Sequence, residues 1–376
     1  MSFSAEDFRF MARAIQLAKK GWYSAHPNPR VGCVIVNGVR IIGEGFHRRA
    51  GELHAERNAL ANCCEDPAGA TAYVTLEPCC HHGKTPPCTD ALIEAGVVEV
   101  VIAMQDPNPL VAGQGVEKLE NAGITVRTGL LESQAVALNR GFIKRMTEKR
   151  PFVRCKLACS IDGRTAMASG ESVWITSEQS RHDVQILRAE SSAIITGAGT
   201  VLADNPSLNV RLNHQDLSLD DDLEVLQPLR VILDARLQTP VNARILSLPG
   251  KVVIFCSDQA IAEAAKYTQG NVSVIAVEAN DELLDFKQVL QALAERQIND
   301  VLLETGATLA GSAIQAGLVD ELVIYQAPHL MGHEARALVN IPGLENMSDR
   351  IVLKLADQRL IGQDQRLTYT FSNSRI

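Results

Sequence analysis

His54, Glu56, Cys79 and Cys88 are the residues whose types and spacing most clearly predict chemistry. Zinc prefers imidazole and thiolate ligands, and a site with three protein ligands keeps a fourth position open for water. The metal lowers the pKa of that water to roughly 7, so a nucleophile is available at neutral pH. Glu56 could take a proton from the attacking water and pass it to the departing ammonia. The pattern therefore predicts a hydrolytic deaminase with His54, Cys79 and Cys88 as ligands and Glu56 as the catalytic acid and base.

The elements that carry these residues must present them at helix starts. Side chains two residues apart inside a helix point to nearly opposite sides, so His54 and Glu56 converge only if His54 precedes the helix. Residues 57–63 have a helical pattern, as this geometry requires. Residues 89–95 also have one, which places the Cys88 thiol at a helix N-terminus, where the dipole lowers its pKa.

The spacer between the two thiols departs from the short Pro-Cys-x-x-Cys form of the deaminase signature. The second thiol follows nine positions after the first, so residues 80–87 form a loop beside the metal that can shape a substrate pocket. The alternative is a closed structural site, with Cys80, His81 or His82 as a fourth ligand. Structural sites usually contain short C-x-x-C knuckles, which are absent here, and this favours the catalytic interpretation.

Composition limits the class of protein and of substrate. With 376 residues the chain is long enough for two domains. A net charge of −8 and an aromatic content of 4% disfavour a nucleic-acid partner, which needs basic and stacking surfaces. No apolar run reaches the length of a membrane span, so no membrane partner is expected. Nine cysteines without a secretory signal predict a cytoplasmic protein.

Strand-like and helical segments alternate in the first part of the chain, which predicts an α/β domain. The strand-like segments are residues 31–36, 41–45, 72–76, 98–103 and 125–128. The helical ones are an amphipathic N-terminal segment, 4–20, and then 57–63, 89–95, 115–121 and 133–146. Residues 147–151 are polar and end in a proline, as a linker would. We therefore expect a deaminase domain over residues 1–147 and a second domain over 148–376.

The second domain has the same alternation. Strands are expected at 152–160, 193–196, 230–233, 251–256, 272–277, 301–304 and 321–326. Helices are expected at 180–189, 259–267, 286–296 and 308–317. Residues 212–227 contain three consecutive aspartates and are expected to be a surface excursion.

Two glycine-bearing turns of the second domain could bind phosphate. Residues 197–200 and 306–312 each follow an apolar strand, and glycine lets a backbone approach a phosphate at a helix N-terminus. Neither turn completes a nucleotide fingerprint, and packing between strand and helix explains such glycines equally well. Arg188 and Arg211 lie nearby in the sequence and could clamp a phosphate, although a single arginine is more often simply solvated.

Five motifs together resemble one family. They are PNP at 27–29, HAE at 54–56, TLEPCCHHGKTPPC at 75–88, QDPNPLVAG at 105–113 and SIDGRTA at 160–166. The chain is similar along its whole length to the bifunctional deaminase/reductases of riboflavin biosynthesis. The resemblance implies an N-terminal domain of the cytidine-deaminase type and a C-terminal domain similar to dihydrofolate reductase.

The resemblance also implies the two reactions. The first domain would deaminate 2,5-diamino-6-(5-phosphoribosylamino)pyrimidin-4-one. The second would use NADPH to reduce the ribosyl group to ribityl, giving 5-amino-6-(5-phosphoribitylamino)uracil. The implied cofactors are one Zn²⁺ per chain and NADPH, and the implied partner is a small phosphoribosylated pyrimidine. We also expect a homo-oligomer.

Matching positions assign further residues by resemblance. The deaminase pocket would consist of Asn28, His47, His81 and Lys84. The NADPH site would consist of Ala158, Trp174, Thr200, Asp204, Gly306, Ala307, Thr308, Leu309, Ala310, Gly311 and Ser312. The reductase substrate site would consist of Lys156, Ser172, Arg188, Leu208, Arg211 and Glu304. Cys80 departs from the family, which usually has serine there; Pro78 and the spacing to Cys88 favour Cys79 as the ligand.

Two other functions fit parts of this pattern. A nucleoside or tRNA deaminase with an accessory domain would leave the phosphate-type residues of the second domain without a role. Alternatively, the second domain could be a binding or assembly module without catalytic activity. NADPH oxidation in the presence of the deaminated intermediate would separate that alternative from the bifunctional enzyme.

Overall fold

The structure, a computed structural model, describes residues 3–82, 86–109, 111–280 and 283–372. The chain forms two compact units. The first contains Met1–Arg150 together with His214–Val225, and the second contains Pro151–Asn213 and Leu226–Ile376. Among the described residues, no helix combines the length and the apolar character that crossing a membrane requires.

The first unit begins with a helix whose start and buried face follow from its sequence. Ser4 caps the helix by accepting a hydrogen bond from the Asp7 amide, and the Asp7 carboxylate accepts one from the Ser4 amide in return. The helices of this unit are α1 (Ala5–Lys20), α2 (Ala55–Ala61), α3 (Cys88–Glu94), α4 (Gln114–Asn121), α5 (Glu132–Leu138) and α6 (Arg140–Glu148). The strands are β1 (Gly32–Asn37), β2 (Arg40–Phe46), β3 (Thr71–Val74), β4 (Glu99–Ile102) and β5 (Thr125–Thr128).

These strands form one sheet in the order β2-β1-β3-β4-β5. β1 is antiparallel to both of its neighbours, whereas β3, β4 and β5 are parallel. The core lies between the sheet and the helices and includes the fully buried Met11, Ile35, Leu92 and Ile102. Two glycines of β2, Gly43 and Gly45, allow α2 to approach closely, since a Cβ there would lie 2.4 or 2.3 Å from the backbone of Ala59.

The second unit is built on a larger sheet. Its strands are β6 (Phe152–Ser160), β7 (Arg164–Ala166), β8 (Ala193–Gly197), β9 (Leu229–Leu233), β10 (Val252–Ser257), β11 (Val272–Val277), β12 (Ala279–Asn280), β13 (Leu283–Leu284), β14 (Asp300–Glu304), β15 (Glu321–Ala327), β16 (Arg336–Ala337), β17 (Leu353–Ile361) and β18 (Asp364–Phe371). Its α-helices are α7 (Glu178–Ala189), α8 (Ala198–Asp204), α10 (Arg244–Ser247), α11 (Phe286–Glu295) and α12 (Ala307–Gln315), whereas α9 (His214–Leu217) belongs to the first unit. Ile261–Lys266 and Met347–Asp349 are 3-10 turns.

The main sheet of this unit has the order β11-β10-β9-β8-β14-β6-β15-β18-β17. β11, β10, β9, β8, β14, β6 and β15 are parallel to one another. β18 is antiparallel to β15, and β17 is antiparallel to β18. Parallel strands buried on both faces read as continuous apolar runs, which is why β8, β10 and β14 could be predicted. β17 and β18 have few buried positions and were missed.

The helix expected at 259–267 is a 3-10 helix over Ile261–Lys266, and the short elements α8, α10, β7 and β16 were not predicted. Two other differences have a clear cause. The expected helix 133–146 breaks at Asn139, whose side chain accepts a hydrogen bond from the Arg30 amide and donates one to the Arg30 carbonyl. The expected excursion 212–227 contains the short helix α9 and buries Leu217, Leu219 and Leu223. Arg48 forms ion pairs there with Asp220 and Asp222. In both places contacts distant in sequence override the local pattern.

Candidate active sites

The first unit brings the three predicted zinc ligands together. His54 Nδ1 lies 3.5 Å from Cys79 Sγ and 3.4 Å from Cys88 Sγ. One candidate ligand atom from each of the three residues lies within 4.8 Å of the others. Among the described residues, this is the one group of three or more histidine, cysteine or acidic side chains that could hold a metal, and Cys80 is not part of it.

Local structure explains why these residues converge. His54 is the N-cap of α2 with an extended backbone (φ −75°, ψ 167°), so its ring and the side chain of Glu56 need not point to opposite sides. Cys88 is the first residue of α3, and its amide donates to Cys79 Sγ over 3.3 Å. Both helix-start predictions are confirmed. Positive helix ends therefore face a site that gathers negative charge.

Hydrogen bonds and burial set the ionisation of the site. A hydrogen bond from Cys88 lowers the pKa of the Cys79 thiol, and the same contact raises the pKa of Cys88, opposite to the lowering that its place at a helix start predicts. A hydrogen bond with Cys79 raises the pKa of His54. Two converging thiols and one imidazole nitrogen are a donor set that fits zinc.

Glu56 lies beside this group without being part of it. Its side chain is buried and forms a hydrogen bond with the Cys88 thiol. Burial raises the pKa of Glu56, and the neighbouring Cys79 charge adds to the effect. A carboxyl group with a raised pKa, held next to the metal donors, is suited to accept and return a proton.

The residues of the expected deaminase pocket have different surroundings. His47 is buried, and its ring packs edge-on against that of His54, with 5.2 Å between centroids. His47 Nδ1 lies 3.1 Å from the Leu53 carbonyl oxygen and Nε2 lies 3.0 Å from Asn28 Nδ2. A carbonyl only accepts, so Nδ1 carries the proton and Nε2 accepts from the Asn28 amide. His81 is exposed, and Lys84 lies outside the described residues.

In the second unit the expected substrate residues Lys156, Arg188 and Glu304 form one cluster, in which Arg188 is buried and the Lys156 and Glu304 side chains are 20% and 10% exposed. Glu304 is the last residue of β14 and pairs in register with Lys156 on the neighbouring β6. Arg188 reaches Glu304 from α7 with two hydrogen bonds of 2.6 and 3.0 Å. Lys156 Nζ lies 3.9 Å from the Glu304 carboxylate.

Charge pairing dominates the electrostatics of this cluster. Burial by itself raises the pKa of Glu304, but the Arg188 and Lys156 charges outweigh it and the net pKa is lowered. Burial lowers the pKa of Lys156, and the Arg188 charge lowers it further. Two guanidinium nitrogens of Arg188 donate to Glu304, and the third donates to the Asn209 carbonyl oxygen. Of the two arginines expected to bind phosphate, Arg211 is the exposed one.

The two glycine turns lie next to each other. Gly197 precedes α8 and Gly306 precedes α12, and a Cβ on Gly197 would lie 3.5 Å from Leu309. A Cβ added to Gly199 or Gly306 would meet no atom within 4 Å, so packing does not require glycine there. Gly311 is different, because its Cβ would lie 2.0 Å from the Asn340 carbonyl oxygen. The open backbone at Gly199 and Gly306 fits a bound phosphate or pyrophosphate group.

The remaining expected reductase residues differ in exposure. Asp204 is exposed, and Trp174 is 71% exposed with the Arg181 guanidinium 4.4 Å from its ring centre. Ala310 and Leu208 are buried. The others are half-buried, namely Ala158, Ser172, Thr200, Ala307, Leu309 and Ser312, apart from the exposed Thr308.

Comparison with known proteins accounts for both units. Residues 151–367 match the family described as RibD C-terminal domain. Residues 4–104 match the cytidine and deoxycytidylate deaminase zinc-binding region. The riboflavin biosynthesis protein RibD of Escherichia coli is 50% identical, with 96% of this chain and 98% of that protein covered. The chain belongs to the RibD family.

Solved structures of RibD proteins agree with this assignment. RibD of Acinetobacter baumannii is 48% identical and superposes with a TM-score of 0.89 over 98% of this chain and 99% of its own. A Thermotoga maritima structure is 37% identical with a TM-score of 0.84, over 97% of this chain and 99% of its own. It is described as a diaminohydroxyphosphoribosylaminopyrimidine deaminase and 5-amino-6-(5-phosphoribosylamino)uracil reductase.

Membership of the RibD family confirms the main predictions. The chain is a bifunctional enzyme of riboflavin biosynthesis with a cytidine-deaminase-like domain followed by a reductase domain, and zinc and NADPH are its cofactors. The α/β fold class is likewise confirmed. A deaminase with a merely accessory second domain is thereby contradicted.

Two side chains that position other residues of this RibD family member were not predicted from the sequence. Arg57 donates to the carbonyl oxygens of Pro86 (3.2 Å) and Pro87 (2.8 Å), so it anchors the end of the long spacer to the zinc-site helix. Its place directly after Glu56 was the available signal. Arg181 stacks on Trp174. The available sequence signal was that Arg181 lies in the predicted helix 180–189, which follows Trp174 in the chain.

Proposed function

We propose that residues 1–147 deaminate 2,5-diamino-6-(5-phosphoribosylamino)pyrimidin-4-one and that residues 148–376 then reduce the ribosyl group of the product with NADPH. The product of both steps would be 5-amino-6-(5-phosphoribitylamino)uracil. The observation that carries the proposal is the buried Glu56 beside the converging His54, Cys79 and Cys88. The paired Lys156 and Glu304 beside two open glycine turns support the second step.

In the deaminase step, His54, Cys79 and Cys88 would hold the zinc ion, which supplies Lewis-acid activation of the attacking water. Glu56 accepts a proton as the C–O bond forms and returns it to the amino group, which leaves as ammonia. Burial, which raises the pKa of Glu56, makes the carboxylate a stronger base at this position.

Substrate recognition in this step is proposed for Asn28, His81 and Lys84. His47 lies behind Asn28 and uses both ring nitrogens within the protein. Since His47 Nε2 engages one Asn28 N–H, the Asn28 Oδ1 is left to accept from a ring N–H or amino group of the pyrimidine. His47 would then orient Asn28 and support the His54 ring.

In the reductase step, the turns at Gly199-Thr200 and at Gly306, Ala307 and Thr308 would hold the phosphates of NADPH, which supplies the hydride. Trp174 and Asp204 are exposed and could contact the remainder of the cofactor. Lys156 would hold a proton for the sugar oxygen, and the exposed Arg211 would bind the substrate phosphate. Arg188 would fix the Glu304 carboxylate beside Lys156.

The cellular setting and assembly are also proposals. All nine cysteines are free thiols, which fits a reducing cytoplasm. The homo-oligomer stays a prediction of the sequence analysis. Light scattering on the purified chain would test it, and a monomeric mass at all concentrations would contradict it.

A two-step assay on the purified chain tests the proposed function. Ammonia release from the diamino substrate reports the first step, and loss of NADPH absorbance with the deaminated intermediate reports the second. Ammonia release without NADPH oxidation would favour a second domain that only binds.

A pair of cysteine variants tests the ligand assignment. Cys79→Ser is expected to lose the zinc and the deaminase activity together, whereas Cys80→Ser keeps both, because Cys80 lies outside the converging group. Zinc analysis of the two proteins decides between them. Zinc retained in Cys79→Ser would overturn the assignment.

A further inference from the structure

Glu77 is a buried carboxylate whose hydrogen bonds all lead to one neighbouring segment. It lies two residues before Cys79 and is 3% exposed. Oε2 accepts from the amides of Asp106 (3.2 Å) and Gly113 (3.0 Å). Oε1 accepts from the amides of Gly115 (2.9 Å) and Val116 (3.3 Å). One side chain thereby holds both ends of the segment 106–116.

The start of α4 explains why this carboxylate is needed. The first amides of a helix have no partner within the helix, and an N-cap side chain usually satisfies one of them. The N-cap of α4 is Gly113, which has no side chain to do so. Glu77 reaches these amides from the end of another element, and its negative charge lies at the positive end of the helix.

The held segment lies against the zinc-site loop. A Cβ on Gly115 would lie only 2.2 Å from the Pro78 carbonyl oxygen, so the backbone of α4 touches the residue before Cys79. At the other end of the segment, Asp106 is buried and its amide is held by Glu77, two residues before Cys79. The described residues of this segment, 106–109 and 111–116, therefore lie beside the loop that carries Cys79.

We propose that Glu77 is a positioning residue of the deaminase, which fixes segment 106–116 as one wall of its substrate pocket. The proposal rests on the deaminase function proposed above. The four hydrogen bonds of the Glu77 carboxylate go to backbone amides of the segment, so its effect falls on substrate binding and not on proton transfer. It differs in this from Glu56, which lies against the Cys88 thiol.

The test compares Glu77→Gln with Glu120→Gln in the full-length chain. Gln keeps the shape of the side chain, but its amide nitrogen cannot accept from two of the four amides. Glu120 is exposed on α4 itself and serves as the matched control. The measurements are hydrogen exchange of segment 106–116, bound zinc, and KM and kcat for each of the two reactions.

For Glu77→Gln we expect exchange of the segment to be at least about tenfold faster, as loss of buried hydrogen bonds to a charged group implies. The deaminase KM should rise about tenfold, with kcat within about threefold, because the damage is to positioning. Zinc content and the reductase constants should not change. Glu120→Gln should match the unaltered chain in every measurement.

Two outcomes would overturn the proposal. Unchanged exchange and unchanged KM would show that the carboxylate does not hold the segment. Loss of zinc with a parallel fall in kcat would show that Glu77 supports the ligand loop instead of the pocket wall. Exchange and zinc content need no substrate, so they test the positioning role even if the proposed reaction were wrong.

The unaltered chain offers a test that does not depend on the variant folding. Amides in the first turn of an uncapped helix exchange rapidly. If Glu77 holds them, the amides of Gly115 and Val116 are protected as strongly as those in the middle of α4. Rapid exchange at both would contradict the proposal.

Discussion

The two proposed active sites of this chain are built differently. The metal site joins residues from 54 to 88 at the starts of two short helices and one loop, beside the sheet of the first unit. The reductase cluster joins residues up to 148 positions apart: Lys156 and Glu304 meet on neighbouring strands of the main sheet of the second unit, and Arg188 reaches Glu304 from α7. The residues of the first site therefore lie outside the sheet strands, whereas two residues of the second site belong to strands of the main sheet. Substitutions in the first site should change activity without changing stability, whereas substitutions in the second site should change both.

The largest effect is expected for Glu56→Gln. Deaminase kcat should fall by about 10²–10⁴-fold, since the variant loses the proton carrier. Zinc content, thermal stability and the reductase rate should stay the same because the shape and the metal donors are kept. Steady-state kinetics with metal analysis checks this, with Glu65→Gln, at the half-buried partner of Arg40, as control. Loss of zinc in parallel with activity would mean that Glu56 has a structural role and that the sites are not so different.

Arg188→Leu tests the opposite behaviour in the second unit. The variant leaves Glu304 buried without its bidentate partner, and breaking such a pair costs about 3–5 kcal/mol of unfolding free energy. Reductase activity and stability of the second unit should fall together, with deaminase activity kept. Urea unfolding and both assays measure this. Lost activity at unchanged stability would contradict the coupling.

The first unit has its own buried charge network, apart from its active site. Asp7 accepts from Arg127 and Tyr73, with Oδ1 3.1 Å from Nη2 and 2.6 Å from the hydroxyl. Burial by itself raises the pKa of Asp7, but the hydrogen bonds from Arg127, Tyr73 and Ser4 outweigh it, and the net pKa lies well below its ordinary range. The folded state thus binds fewer protons than the unfolded state near pH 4.

That network gives the first unit an acid sensitivity unrelated to its chemistry. Its stabilisation is fully present above the unfolded pKa of about 4 and is lost as the pH falls below it. Asp7→Asn should lower the unfolding free energy by about 2 kcal/mol at pH 7 and by less at pH 3. Trp22 fluorescence in a Trp174→Phe background reports this unit. An equal loss at both pH values would contradict the assignment.

The smallest expected effects distinguish two glycines of the second unit. Gly199→Ala should leave stability unchanged or raise it by up to about 1 kcal/mol, while raising the KM for NADPH a few-fold. Gly311→Ala should destabilise by about 1–3 kcal/mol, because its Cβ would overlap the Asn340 carbonyl. An unchanged KM in Gly199→Ala would show that the backbone at this position does not approach the cofactor.

The sequence by itself was enough to predict the grouping of His54, Cys79 and Cys88, the α/β class and most strands. Ligand types, their spacing and the helix-start requirement are local properties, and β8, β10 and β14 are buried on both faces, so their apolar runs are continuous. The sequence could not decide whether the glycine turns bind phosphate or serve packing between strand and helix. Gly199 and Gly311 can be told apart only when the atoms around them are known.

Tertiary structure alone decided the features that depend on partners distant in sequence. The helix after residue 132 breaks because Asn139 bonds the backbone of Arg30, 109 positions away. From the sequence, Arg188 could be expected to bind a phosphate, but in the structure its guanidinium pairs with Glu304. Glu77 reads as the polar end of a strand, and only the fold shows that it caps a helix beginning at Gln114. In each case a buried polar group must find its partner, and the fold determines which partner is within reach.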